Sequence, residues 1–174
     1  MGYDACQRRL APLIAATAHQ VVVDVGGGDG EDVQLVHPTA TYLCLDPSRA
    51  KLLRFRSQRA TGHAVRGDGA ALPLRDRSVD LLICKYVFHH LSDAQLAAAL
   101  GEFRRVVRGR LLVMDAIKRP GLNLGNALWM LDEGDHPRSL ERNYAALDRH
   151  FDTTHEERFR ILHHYFIRVC RPRA

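Results

Sequence analysis

Short apolar runs alternate with longer amphipathic stretches along this chain. Val21-Val22-Val23-Asp24-Val25 is β-branched, ends in glycines and reads as a buried parallel strand. Residues 42–46, stopped by Pro47-Ser48, read the same way, as do 63–66, 79–84 and 111–115. Ser48 is placed to cap a helix over 49–59, and Ser92 or Asp93 to cap one over 94–107. In the latter, Leu96, Leu100, Phe103 and Val107 recur at helical spacing. Arg108-Gly109 reads as the turn into the fifth strand. A first helix runs from near Asp4 to Ala18, with Pro12 placed to bend or split it. Ser139 caps a further helix ending near His150, and 153–157 with 164–170 form a last pair of strands, antiparallel to each other.

This alternation predicts an α/β fold, an open and mostly parallel sheet with helices on both faces. Such sheets bind ligands beyond the carboxyl ends of the strands, where the strand order reverses. A length of 174 residues with 46% hydrophobic content fits a single domain, 1–174, and excludes a wholly disordered chain. No apolar run is long enough for a transmembrane helix. Residues 1–20 carry Asp4, Arg8 and Arg9 and lack the layout of a secretory signal, so they read as a short N-terminal helix of a cytoplasmic protein. Cys6, Cys44, Cys84 and Cys170 lie far apart with no CxxC pair, and read as free structural thiols.

The sharpest signal is Asp24-Val25-Gly26-Gly27-Gly28-Asp29-Gly30, a strand running into glycines that let a ligand approach the backbone. A dinucleotide fingerprint needs G-x-G-x-x-G. Counted from Gly26 its third glycine falls on Glu31, and counted from Gly28 on Val33. Asp24 and Asp29 would also repel a pyrophosphate. A cofactor without phosphate and with a cationic, amino-acid end suits them better. Asp46 closes the second strand, where a carboxylate can accept both hydroxyls of a ribose, and Asp68 closes the third, where one can accept from an adenine amino group.

Residues 21–30, Leu45-Asp46-Pro47-Ser48, the segment Gly67 to Asp80, Val87-Phe88-His89-His90-Leu91 and the segment Phe103 to Leu111 together resemble the class I S-adenosylmethionine-dependent methyltransferases. The resemblance spans about residues 20–115 and is closest to the small-molecule branch that includes quinone-biosynthesis enzymes. It implies a Rossmann-like seven-stranded sheet in the order 3-2-1-4-5-7-6 with strand 7 antiparallel. It implies S-adenosylmethionine held by Asp24, Gly26, Gly28 and Gly30, with Asp46 on the ribose and Asp68 near the adenine. Gly69 stands where alanine is commoner, and Lys85 and Tyr86 should line the pocket near the sulfonium. About 20 residues before the first strand leave no room for the N-terminal lid of larger relatives.

Methyl transfer requires alignment of nucleophile, methyl carbon and sulfur, and in some cases removal of a proton. His89 and His90 follow the fourth strand and are the candidate bases, with Tyr86 beside them. Residues 116–138 should form the substrate-side loop or lid, and offer Lys118, Arg119, Asn123, Trp129, Met130, Asp132, Glu133, His136 and Arg138. The ten histidines are scattered without zinc spacing, so no metal is assigned.

The net charge of +5 permits an anionic small molecule. It permits nucleic acid too, without requiring it, since the arginines are dispersed and aromatic residues make up only 7%. The adenine-amino motif of asparagine or aspartate, two prolines and an aromatic is replaced by Cys84-Lys85-Tyr86-Val87. The expected activity is transfer of a methyl group to oxygen, nitrogen or carbon of a small organic acceptor, and a homodimer is compatible with it. The alternatives are an RNA or protein methyltransferase, and a non-catalytic cofactor-fold subunit or NAD-dependent oxidoreductase.

Overall fold

The computed structural model describes residues 2–16, 19–59, 61–117, 136–161 and 163–173. Seven strands form one sheet: β1 (Val21–Val25), β2 (Thr41–Asp46), β3 (His63–Arg66), β4 (Val79–Lys85), β5 (Val107–Ile117), β6 (Phe151–Arg160) and β7 (His164–Pro172). Their order is β3-β2-β1-β4-β5-β7-β6. The pairs from β3 to β5 are parallel, while β7 runs antiparallel to both β5 and β6. The expected topology is therefore present.

Strand alternation sends successive side chains to opposite faces, and each face acquires its own core. Val23, Val25, Leu82 and Val113 pack against α3 (Asp93–Val106) through Leu96, Leu100 and Phe103, and against Leu147 of α4 (Leu140–Leu147). On the other face Val22, Cys44, Ile83 and Met114 pack against Leu10 and Ile14 of α1 (Gly2–Ala15) and Leu52 and Phe55 of α2 (Arg49–Gln58). All four cysteines are buried free thiols.

The predicted caps are made. The Ser48 side chain accepts from the Lys51 amide and that of Ser139 from Arg142, while Ser92 and Gln95 form a reciprocal capping box. Three boundaries differ from expectation. α1 continues through Pro12 to Ala15. α3 ends at Val106 and β5 begins at once, so Arg108-Gly109 lies in a strand and makes no turn. A Cβ at Gly109 would fall 2.1 Å from the Asp80 carbonyl, so the glycine serves close strand approach beside the irregular β4–β5 register. β6 is also longer than its apolar content suggests, because its outer residues are exposed at the sheet edge. Among the described residues no helix is long and apolar enough to cross a membrane.

Candidate active site

The strand order reverses at β1, with β2 on one side and β4 on the other. The glycine loop leaves the carboxyl end of β1 here and is tied to β2, whose Leu45 carbonyl accepts from the Gly26 and Gly27 amides. Gly26, Gly28 and Gly30 all have positive φ, which allows the loop to double back. A cavity of about 330 Å³ opens there. Asp24, Gly26, Gly28, Asp29, Asp32, Lys85, Tyr86 and His90 are among the residues around it.

The buried polar groups of this cavity are strongly coupled. Tyr42 donates its hydroxyl to Asp24 Oδ2 at 2.5 Å. Lys85 Nζ meets Asp32 Oδ1 at 2.6 Å, and Gln7 Nε2 of α1 donates to the same oxygen at 3.1 Å. Asp32 is 1% exposed, and its Oδ2 has no hydrogen-bond partner among the described residues. Burial first, and the neighbouring Asp32 second, push Asp24 up to about 7, while the Tyr42 hydrogen bond and Lys85 oppose the rise. Burial and the Asp24 carboxylate hold the Tyr42 phenol far above its usual range.

Asp46, Asp68, Gly69 and Gly30 stand outside this lining. Asp46 is buried, and its two carboxylate oxygens accept from the Gly28 and Ser48 amides. Each of those oxygens keeps a second lone pair for a hydroxyl. Asp68 is exposed at the end of β3, bonded to the Ala70 amide, and does not line the cavity, nor does Gly69, which packs near Val25 and Phe103. Gly30 is buried under Phe55 and lies outside the lining too.

Tyr86 holds the left-handed conformation, φ 56, and donates its hydroxyl to Cys6 Sγ of α1 at 3.2 Å. Burial and Cys6 keep that phenol neutral at any physiological pH. Through Cys6 and Gln7, α1 thus reaches the cavity wall.

The two histidines separate. His90 is exposed and lines the cavity. His89 is buried, outside the lining, and its Nδ1 lies 2.6 Å from Asp115 Oδ1 near the end of β5. Of the substrate-side candidates, His136 and Arg138 are placed, and 118–135, with Lys118, Arg119, Asn123, Trp129, Met130, Asp132 and Glu133, lie outside the described residues. Sequence reasoning missed Asp32, Tyr42 and Asp115 as participants. Asp32 follows the glycine loop closely enough to have been found, whereas Tyr42 and Asp115 are recognisable only once β2 and β5 are placed.

The polar groups of the site fit S-adenosylmethionine. An orphaned buried carboxylate oxygen on Asp32 and a second carboxylate on Asp24 suit a ligand with an ammonium and a sulfonium. A Cβ on Gly27 would sit 2.8 Å from the Asp24 carboxyl, so only glycine fits the loop against that buried acid.

Demethylmenaquinone methyltransferase of Thermotoga maritima is 29% identical over 116 residues, covering 64% of this chain and 50% of the relative. Malonyl-[acyl-carrier protein] O-methyltransferase of Methylococcus capsulatus is 36% identical over 128 residues, covering 64% of this chain and 46% of the relative. The chain spans about half the length of the curated relatives it matches. The solved structure of geranyl diphosphate methyltransferase in complex with S-adenosylmethionine superposes with a TM-score of 0.81 at 12% identity, over 97% of this chain and 85% of that one, a likeness of fold. The profile of the family described as "Methyltransferase domain" matches residues 22–110, just over half of the chain. That match takes in the strands and the loop that build the cavity, and the chain accordingly belongs to the class I S-adenosylmethionine-dependent methyltransferases.

Proposed function

We propose that this protein transfers a methyl group from S-adenosylmethionine to a small organic acceptor. The observation that carries the reading is the acid-lined cavity at the switch point of the sheet, with a histidine at its mouth. Asp24 and Asp32 would hold the amino-acid end of the cofactor, the Gly26–Gly28 backbone would lie along it, and Asp46 would take the ribose hydroxyls. Asp68 would approach the adenine from the end of β3. When bound, the cofactor supplies a methyl carbon already activated by the sulfonium.

The chain's own task is to orient the acceptor and to receive a proton. His90 is suited to that task because it is exposed, lines the cavity and carries an imidazole, a common general base. Tyr86 is a wall of the pocket, since its hydroxyl is directed to α1. We take the whole of 1–174 as one methyltransferase domain, with 116–138 on the substrate side. The demethylmenaquinone relative supports a hydroxylated, quinone-like ring as the acceptor class. The free thiols support a cytoplasmic setting.

Two measurements test this. Calorimetry should show S-adenosylhomocysteine binding, lost by more than tenfold in Asp46→Ala. A screen of labelled methyl transfer against hydroxylated rings, small carboxylates and RNA, read by mass spectrometry, should label a small ring compound. Label appearing in RNA alone would overturn the small-molecule reading, and absence of cofactor-product binding would overturn the activity itself.

A further inference from the structure

The three-residue turn Phe88–His90 after β4 carries both histidines. It is fastened from both ends of the segment 116–138. At one end Asp115, 1% exposed, uses one carboxylate oxygen for the His89 ring and the other for the His89 backbone amide, which donates at 3.3 Å. At the other end His136 donates its backbone amide to the His89 carbonyl at 2.9 Å.

Arg138 completes the fastening. It is 5% exposed, and its Nη1 donates to the Phe88 carbonyl at 2.6 Å while its Nη2 donates to the Leu91 carbonyl. Its Nε pairs with Asp93 Oδ1 at 2.8 Å, at the start of α3. A buried guanidinium is costly unless its fork of donors is filled, and this one is filled by the Phe88 and Leu91 carbonyls at the two ends of the histidine turn, the His136 carbonyl and Asp93. Lysine, a point charge on a flexible stem, could not span the same acceptors. The His89 ring, immobilised in this way, lies 4.1 Å from the His90 ring between centroids, and His90 faces the cavity.

We propose that Arg138, together with Asp115, is a positioning residue that sets where His90 stands in the pocket. The two residues bracket the substrate-side segment in sequence and converge on one turn in space. The turn is therefore anchored by residues on both sides of 118–135, and with it the group that receives the acceptor's proton. The second half of that statement rests on the reading of His90 given above, whereas the anchoring itself does not.

The test uses the full chain with ring-labelled histidine, the His90 resonance being assigned by its loss in His90→Gln. Arg138→Met is compared with Arg142→Met, which removes an exposed arginine paired with the same Asp93. Arg138→Met should shift the His90 ring resonance and its titration curve while retaining S-adenosylhomocysteine affinity within about twofold, and Arg142→Met should leave all three as in the native protein. Arg138→Lys should restore little. If Arg138→Met binds the cofactor product normally with an unmoved His90 resonance, the proposal is overturned. Should Arg138→Met fail to fold, Asp115→Asn gives the same reading, and an unmoved His90 resonance there overturns it equally. A shifted resonance together with full methyl transfer by His90→Gln would preserve the anchoring and remove His90 as the base.

Discussion

Asp24 receives opposing influences: burial and Asp32 favour its protonated form, and Tyr42 and Lys85 favour the carboxylate. Its folded value, about 7, stands above the ordinary 3.8. The stability Asp24 contributes is therefore full below its ordinary value and is lost as pH rises through about 7. Asp24→Asn should remove that dependence, so that its melting temperature gains on the native protein between pH 4 and 7. A ligand bearing an ammonium should draw Asp24 toward its ionised form, so S-adenosylhomocysteine binding near neutrality should release a proton, seen as a buffer-dependent enthalpy that Asp24→Asn abolishes. Gly30 offers a second test at this scale. With φ 66 and a built Cβ only 2.0 Å from Phe55, Gly30→Ala combines backbone strain with overpacking. Roughly 2–3 kcal/mol of stability should be lost in a urea titration.

Elements were legible where one physical signal dominated. β1, β2 and β4 are apolar because both their faces are covered, and Ser48, Ser92 and Ser139 mark helix starts that the structure confirms. Removing the Ser92 side chain breaks the capping box, and Ser92→Ala should cost about 1 kcal/mol in thermal or chemical unfolding. The start of β5 was misread because glycine usually signals a turn, and at Gly109 it signals the approach of the Asp80 carbonyl. β6 was read short because a solvent-facing edge strand has few apolar residues to alternate. At the site, the glycine loop and Asp46 are visible as local pattern, and Lys85 through the family resemblance. The Tyr42–Asp24, Asp32–Lys85 and His89–Asp115 pairs are not, since each joins residues remote in sequence that only the folded sheet and the turns at its strand ends bring together.

At the scale of the molecule, the site depends on the sheet more than on any single loop. β1 supplies Asp24, β2 supplies Tyr42 and Asp46, β4 leads into Tyr86 and the histidine turn, and β5 carries Asp115 two residues before its end. Arg105 adds support from α3, donating to the Leu72 and Leu74 carbonyls and so fixing the segment that follows Asp68. The position of β7 has a consequence for the order of assembly. It lies between β5 and β6, so residues 164–172 fill an interior slot of a sheet whose other strands precede them in the chain. During synthesis β5 must wait with an unsatisfied edge, and β6 has no partner, until those residues leave the ribosome. Such long-range closure slows folding and exposes an aggregation-prone strand. Ribosome-stalled chains ending at residue 161 should remain sensitive to protease, with resistance appearing only after residue 172 has emerged.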